Sequence, residues 1–323
     1  MTVTVIIPTY KPDGKFRKLV KELKNQTYPI EKILILNTEA CYWKDALIEG
    51  IQQAEVHHIT KEEFDHGRTR AMGAAMADTD LLVFFTQDAA PANNKVIECL
   101  VKPFADDSIG GAYGRQLSSE DCKFIERYTR SFNYPARSRV KRREDLPELG
   151  IKTYFCSNVC AAYRRSAYEK EGGFVTKTIF NEDMILAAHM IQDGYGIAYA
   201  ADAQVVHSHN YNYIQQFQRN FDLAVSQTDH PEIFAGVSSE SEGIRLVKQT
   251  ASYLLKQKKP WLIPDLILAS GFKFLGYKAG QHYRRIPRWL VEKLTMNRAY
   301  WKQGIFQVFT FSFLFYHNFN TIH

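Results

Sequence analysis

The sequence predicts an α/β fold: a mostly parallel sheet with helices on both faces, followed by a helical C-terminal extension. Three observations carry this. Short apolar runs recur through the first half of the 323-residue chain, separated by segments with helical spacing. The composition, 45% apolar and 24% charged, is that of a globular chain able to bury a sizeable core. Beyond about residue 215 the pattern turns helical, broken at Pro231, Pro260, Pro264 and Pro287. The expected division is a sheet-bearing unit over 1–215 and a basic, aromatic helical region over 216–323.

The elements follow in order. The apolar start, 3–8, is a strand that stops at Pro8, and no secretory signal is visible in it. Phe16, Leu19, Val20 and Leu23 give 16–25 a helical apolar face. A second strand is expected at 32–36, a helix at 42–55, and a short strand at 56–59. The alanine-rich stretch 69–77 reads as a helix leading to the strand 81–85, with a further helix at 94–104. Residues 116–155 are polar and basic, including the run 137–143, and read as a mobile loop or short helices over a site. Gly172-Gly173-Phe174 and Ile179-Phe180-Asn181-Glu182-Asp183 precede a helix through His189 and Ile191 that ends at Gly194. Two strands are expected at 197–199 and 204–206, the second closed by His207-Ser208-His209.

Several functions are disfavoured. Five cysteines, odd in number and irregularly spaced, do not make a disulfide framework, and a reducing cytoplasm is the expected setting. Cys156 and Cys160 form C-x-x-x-C without a second pair, which reads as two half-buried thiols rather than zinc ligands. Gly110-Gly111-Ala112-Tyr113-Gly114 lacks the G-x-G-x-x-G spacing, and the first strand ends in Pro-Thr-Tyr with no glycine cradle. That argues against a nicotinamide enzyme.

Charge is uneven. Residues 256–302 hold eleven Lys/Arg against Asp265 and Glu292, a net +9 in a chain whose total is +6. Trp261, Phe272, Phe274, Tyr277, Tyr283 and Trp289 are interleaved with these cations. Cations with interfacial rings suit a membrane surface. A solvated basic face is the plain alternative, and nucleic acid is not expected because no binding motif accompanies the charge. The apolar run 305–316 is too short to span a bilayer. It is read as dipping into a membrane, packing on the core, or forming a strand through Phe309, Phe311, Phe313 and Phe315.

Polar residues end four of the apolar runs: Thr9-Tyr10, Asn37, Asp88 and the His207/His209 pair. In open α/β sheets ligands bind beyond the carboxyl ends of the strands. Asp88 suits a hard divalent ion and the histidines a metal such as manganese. A turn or cap role for Asp88 and a surface role for the histidines are the alternatives. Glu182-Asp183 opens a helix, where paired acids commonly favour the dipole; a base that takes a proton from a hydroxyl is the second reading.

The ordered set resembles the inverting family 2 glycosyltransferases of the GT-A fold. Val3-Thr4-Val5-Ile6-Ile7-Pro8-Thr9-Tyr10 is similar to their opening strand, and Gly172-Gly173-Phe174 with Asn181-Glu182-Asp183 to their acceptor-site segment. Three segments resemble the bacterial rhamnosyltransferase branch: Phe64-Asp65-His66-Gly67-Arg68-Thr69-Arg70, Thr86-Gln87-Asp88-Ala89-Ala90-Pro91, and Val206-His207-Ser208-His209. Gly276-Tyr277-Lys278-Ala279-Gly280, leading to Pro287 and Tyr300-Trp301, resembles that branch's tail.

The resemblance implies roles. Thr9 and Tyr10 would contact the donor's base, with Asn37 where the family often has an aspartate. Arg70 would approach the base or phosphates. Gln87 and Asp88 would lie at the donor, standing where many members have D-x-D, so that only Asp88 supplies a carboxylate. Asp88, with His207 or His209, would hold manganese or magnesium. Asp183 would be the base, supported by Glu182. The implied reaction is metal-dependent transfer of L-rhamnose from dTDP-β-L-rhamnose to a saccharide, plausibly lipid-linked, at the cytoplasmic face of the membrane in cell-wall or surface-polysaccharide synthesis. A UDP-hexose donor, or a non-catalytic binding or scaffold protein of the same pathway, is the alternative.

Overall fold

Strand β1 (Val3–Tyr10) is a spine with two faces, because successive side chains of a strand point to opposite sides. Val3, Val5 and Ile7 pack with Phe16, Leu19, Val20 and Leu23 of helix α1 (Gly14–Lys24), whereas Ile6 joins the opposite core. Both faces are covered, as the near-continuous apolar run requires. The structure, a computed structural model, describes residues 1–237 and 240–302; the run 305–316 lies outside the described residues.

β1 pairs in parallel with β2 (Lys32–Thr38) on one side and β4 (Leu81–Phe85) on the other; β3 (Ala54–Ile59) extends the sheet beyond β2. Helix α2 (His66–Ala75) crosses from β3 to β4. The two-residue β5 (Ala90–Pro91) and helix α3 (Val96–Val101) follow, then β6 (Ile109–Leu117), α4 (Phe124–Asn133), the short β7 (Arg139–Lys141) and α5 (Leu146–Leu149). β8 (Cys160–Arg164), α6 (Arg165–Lys170), α7 (Glu182–Gln192) and β9 (Gly196–Val206) complete a nine-stranded sheet of order β3-β2-β1-β4-β8-β6-β9-β5, with β7 on β9. The sheet is parallel through β3-β2-β1-β4 and mixed beyond, because β8 runs antiparallel to both β4 and β6. The chain then turns helical: α8 (Tyr213–Asp229), α9 (Pro231–Phe234), α10 (Glu240–Lys256), α11 (Ile263–Gln281) and α12 (Arg288–Leu294).

Four sequence expectations are corrected. Residues 42–55 form no α-helix: two single 3-10 turns, Ala40–Tyr42 and Asp45–Leu47, lie there. Trp43, Leu47, Ile48 and Ile51 have helical spacing, but they reach the α1-side core from an irregular crossover kinked at Glu39 (φ +67°) and Gly50 (φ +74°). The expected pair of strands at 197–199 and 204–206 is one strand, β9, whose register against β6 shifts between Gly114 and Arg115. A side chain at Gly114 would meet the Ala203 carbonyl at 2.5 Å, so the bulge needs glycine there. Pro264 does not break the chain; it sits in the first turn of α11, where its missing N–H costs nothing. The cysteines at 156 and 160 are fully buried free thiols, more enclosed than expected.

α8 and α11 are the closest-packed pair in the helical region. A Cβ at Gly276 would stand 2.2 Å from the Phe217 carbonyl oxygen, and one at Gly280 2.3 Å from that of Phe221. This explains the two glycines of the 276–280 segment: the backbones touch where no side chain fits. Gly276→Ala is expected to destabilise the protein by about 1–3 kcal/mol, the usual cost of overpacking, read as a lower urea midpoint. An unchanged midpoint would mean the helices part freely. Among the described residues no helix is long and apolar enough to cross a membrane.

Candidate active site

The C-terminal end of β4 and the end of β9 are brought together by β5. Ala90 pairs with Val206 and Pro91 with Val205, so Asp88, two residues before β5, faces His207, one residue after β9. Asp88 Oδ1 lies 3.5 Å from His207 Nε2, and Oδ2 3.6 Å from His209 Nε2. The two Nε2 atoms are 3.0 Å apart. These are the three residues whose ligand atoms converge within 4.8 Å of one another among the described residues. His207 Nδ1 is 3.1 Å from Gln116 Oε1, an acceptor that also takes a hydrogen bond from Arg130. That network assigns the imidazole proton to Nδ1 and leaves the Nε2 lone pair facing the cluster, the usual outer arrangement of a metal-bound histidine. Burial, with the neighbouring His207, pushes His209 down to about 4, so its ring is neutral. Burial works upward on Asp88 but is outweighed by its two histidine neighbours, His207 first, which hold its carboxyl below the usual range. One ionised carboxylate and two imidazoles fit a divalent transition ion.

The second cluster opens α7. Asn181 adopts the left-handed conformation (φ +65°) and turns the chain into Glu182 and Asp183. Glu182 Oε1 is 3.1 Å from Arg70 Nη1, both side chains more than nine-tenths buried, and accepts a hydrogen bond from Asn158 Nδ2 at 3.2 Å. Asp183 Oδ2 accepts from the Asn158 backbone N–H at 3.0 Å. Burial works upward on Glu182, but Arg70, then His66 and the Asn158 amide, keep it ionised. Asp183 has the opposite outcome: burial, and then the charge of Glu182, push it up to about 7. Two neighbouring carboxyls are thus driven apart, a division that suits one to ion pairing and the other to taking up a proton near neutrality.

Arg70 reaches Glu182 because of the local sequence around it. Asp65 caps α2, its Oδ1 accepting from the N–H groups of Gly67 (2.9 Å) and Arg68 (3.1 Å). Gly67 lets Val175 come so close that a Cβ there would lie 1.7 Å from its carbonyl oxygen. One turn on, Arg70 donates to the His66 carbonyl at 2.8 Å and to Glu182. Arg70 is therefore engaged with the carboxylate pair in this structure.

The expected donor residues line the mouth of β1. Thr9 and Asn37 are buried and bonded to each other (Oγ1 to Oδ1, 3.1 Å), and the Asn37 amide N–H groups go to the Glu39 carbonyl and His58. Asn37 is fully buried with both amide hydrogens committed, so it orders this floor and does not present its own amide to a ligand. Gln87 straps β1 to β4: its Oε1 accepts from the Tyr10 N–H (2.9 Å) and its Nε2 donates to the Tyr10 carbonyl (3.0 Å). What this leaves open is the exposed Tyr10 ring, edge-on to the exposed Tyr42 ring at 5.7 Å, with the Lys11 ammonium 5.3 and 4.6 Å from the two ring centres.

The two clusters share one edge of the sheet. Gln116, bonded to His207, donates to Ser157 Oγ at 3.1 Å, and the next residue, Asn158, holds Asp183. Gln116, Asn158, Lys11 and Tyr42 are absent from the sequence-based candidates. Asn158 had a faint signal, a polar pair just ahead of an apolar strand; Gln116 had none.

Residues 4–172 match the sequence profile described as glycosyl transferase family 2. The O-antigen chain rhamnosyltransferase RfbN of Salmonella typhimurium is 39% identical over 305 residues, covering 93% of this chain and 96% of that protein. The O-antigen chain rhamnosyltransferase WbaN of Salmonella anatum is 38% identical over 303 residues, covering 92% and 95%. Among solved structures, the mannosyltransferase PcManGT from Pyrobaculum calidifontis, in complex with GDP-Man and Mn2+, superposes with a TM-score of 0.52 at 16% identity, covering 94% of this chain and 86% of that one. S. aureus TarS 1-349 in complex with UDP-GlcNAc gives 0.50 at 13% identity, covering 88% and 92%. These two likenesses carry the fold, the GT-A architecture expected from the sequence.

Proposed function

The chain belongs to glycosyl transferase family 2, and from that premise we propose that it moves L-rhamnose from dTDP-β-L-rhamnose to a hydroxyl of a lipid-linked saccharide, with inversion and with the help of a divalent ion. The observation that carries this is the pairing of Asp183, a carboxyl pushed up to about 7, with Glu182 ionised against Arg70, on the same sheet edge as Asp88, His207 and His209. The high identity to two rhamnosyltransferases supports the sugar.

In this reading the base of the nucleotide lies against Tyr10 and Tyr42, whose rings offer a stacking surface. Asp88, His207 and His209 hold the ion, which when bound supplies positive charge against the donor's diphosphate. Asp183 takes the acceptor's hydroxyl proton as that oxygen attacks the anomeric carbon from the face opposite the diphosphate. The bond to phosphate breaks with its electron pair leaving on the nucleotide, and the β-linked donor sugar becomes an α-rhamnoside. Arg70 keeps Glu182 charged, and Glu182 in turn raises the proton affinity of Asp183. We propose residues 1–215 as the unit that binds donor and carries the base, and 216–323 as the unit that adds the acceptor wall and the membrane surface.

A donor panel tests the sugar. Thermal stabilisation is expected with dTDP-rhamnose and Mn2+ beyond that with UDP-glucose, UDP-galactose or GDP-mannose, and it should shrink in EDTA. Equal shifts for UDP-hexoses would move the assignment to another donor.

Membrane association is supported by the outer face of the helical region. Trp261, Ile267, Leu268, Phe274, Leu275 and Trp289 are exposed. Lys259, Lys278 and Lys293 lie 5.6, 5.7 and 5.2 Å from the ring centres of Trp261, Phe274 and Trp289. Rings with adjacent cations suit a headgroup layer of anionic lipid at the cytoplasmic face. The protein is expected to sediment with phosphatidylglycerol vesicles and not with phosphatidylcholine ones. Lys259→Gln should weaken partition about fivefold, one charge's worth. Equal binding to both lipids would remove the electrostatic part of this reading.

A further inference from the structure

Strand β6 lies between β8 and β9. It runs parallel to β9 and antiparallel to β8, so its C-terminal end meets the end of β9 on one side and the start of β8 on the other. His207 follows β9, and Ser157-Asn158 lead into β8. Gln116, next to last in β6, therefore stands between the ion cluster and the residue that holds both carboxyls. Its side chain is buried, and both polar atoms of the amide are engaged. Arg130 of α4, itself paired with Glu126 at 2.9 Å, donates to Oε1; a guanidinium offers no acceptor, so the amide oxygen has to face it. The same oxygen lies 3.1 Å from His207 Nδ1, and Nε2 donates to Ser157 Oγ at 3.1 Å. With the amide reversed, its N–H groups would face Nδ1, the imidazole proton would move to Nε2, and no lone pair would point at Asp88 and His209.

The histidine loop gets its backbone position from other bonds. The His207 N–H donates to the Leu117 carbonyl at 3.0 Å, and Ser208 Oγ accepts from the Ser119 N–H at 3.1 Å. Asn210 Oδ1 accepts from the Lys123 N–H, and its Nδ2 donates to the Asp121 carbonyl, both at 2.9 Å. Gln116 thus adds the direction of the ring, not the place of the loop. On the opposite side Asn158 is committed through both ends of its amide. Tyr163 Oη donates to its Oδ1 at 3.0 Å, its Nδ2 goes to Glu182, and its backbone N–H goes to Asp183. Ser157 fastens the turn that carries Asn158 to Gln116.

We propose that Gln116 is a positioning residue for both centres at once: its oxygen fixes the tautomer in which His207 faces an ion, and its N–H holds the turn that sets Asn158 against Asp183. The ion cluster and the carboxyl pair are thereby kept in register across one amide. This assignment rests on the glycosyl-transfer reading only for what the two centres do.

The test uses the full chain and reads each centre without turnover. Mn2+ binding is followed by its electron-spin resonance signal. The Asp183 proton is followed in metal-free protein by the carbon-13 resonance of its carboxyl, the one missing from Asp183→Asn. The groups that feel or set its charge, Glu182 with Arg70, and Tyr134, Tyr163 and Cys156, are left intact. Gln116→Leu should weaken Mn2+ about ten- to hundredfold, the usual loss when a ligand's outer partner is removed. It should also move the Asp183 titration up by about one pH unit, because the Asn158 hydrogen bond that favours the carboxylate is loosened. Ser157→Ala should give the second change with the Mn2+ affinity of the wild type. Gln116→Glu keeps an acceptor for His207 and Arg130 and should keep Mn2+ affinity. A residue that merely fills space would give the opposite order, with leucine tolerated and a buried carboxylate not. Wild-type Mn2+ affinity in Gln116→Leu, or an unmoved Asp183 titration, overturns the proposal. If Gln116→Leu does not fold, Ser157→Ala and Arg130→Met decide. Arg130→Met frees the amide to reverse and must weaken Mn2+, although it removes a positive charge whose loss alone would favour the ion; Ser157→Ala must still move Asp183. Wild-type protein that binds no Mn2+ ends the ion reading and this proposal together, whereas Mn2+ bound equally by wild type and Gln116→Leu ends the proposal alone.

Discussion

Asp183→Asn is expected to lower rhamnosyl transfer by about 10²–10⁴-fold, the usual contribution of a positioned base, with the affinity for dTDP and metal unchanged. The amide keeps the size of the carboxyl and an oxygen for the Asn158 N–H, but it cannot accept the hydroxyl proton. The pH dependence makes this specific. Burial and the charge of Glu182 push Asp183 up to about 7, so wild-type turnover should fall tenfold per unit below that pH. The residual rate of the variant should lack that limb. Stability carries a matching sign. A carboxyl whose folded pKa is raised stabilises the fold fully below its unfolded value of about 4, and the contribution is lost as pH rises through about 7. The melting temperature of the Asn variant should therefore gain on that of the wild type between pH 5 and pH 8. A variant that keeps wild-type turnover, or the same acid limb, would remove Asp183 from the chemistry.

Asp88→Ala should be nearly as damaging by another route. It removes the one carboxylate of the ion cluster and leaves two imidazoles 3.0 Å apart. Donor affinity in Mn2+ should fall to the value the wild type has in EDTA, and turnover by roughly 10²–10³-fold, since a metal's charge is worth several kcal/mol to a departing diphosphate. Chelator should then have no further effect on the variant. If Asp88→Ala still responds to Mn2+ as the wild type does, the ion is held elsewhere. His207→Ala is the companion measurement: it removes the ring that Gln116 orients and leaves the backbone pairing of β5 with β9 in place.

How far the sequence reached depended on whether a residue's partners are near it in the chain. The strands at 81–85 and 32–36 and the helix that follows Asp183 are written in local periodicity, and local periodicity is what a reader can see. The crossover at 42–55 misled because Trp43, Leu47, Ile48 and Ile51 meet the core with helical spacing from a chain that is not helical. β9 looked like two strands because its bulge at 201–203 interrupts the pattern while the backbone continues. The candidate site was legible as types: an acid ending a strand, a histidine pair, an acidic pair opening a helix. Their grouping was not. That Arg70 would seek Glu182, that Asn37 and Gln87 would be used up in ordering the cleft floor, and that Asn158 would hold both carboxylates all depend on contacts between residues far apart in sequence.

The loop before the carboxylate pair is fastened to α8. Ser226 Oγ donates to the Phe180 carbonyl at 2.6 Å and lies 3.2 Å from Thr178 Oγ1, and Asn181 Nδ2 reaches the Leu223 carbonyl at 3.5 Å. The C-terminal helices and the turn that carries Glu182 and Asp183 are therefore expected to change together. A recombinant that inherited its tail from one ancestor and residues 178–181 from another would misaim Asp183 even with every acidic residue intact. Natural hybrids are expected to carry loop and helix together, with their junctions ahead of Thr178 rather than at the start of the tail.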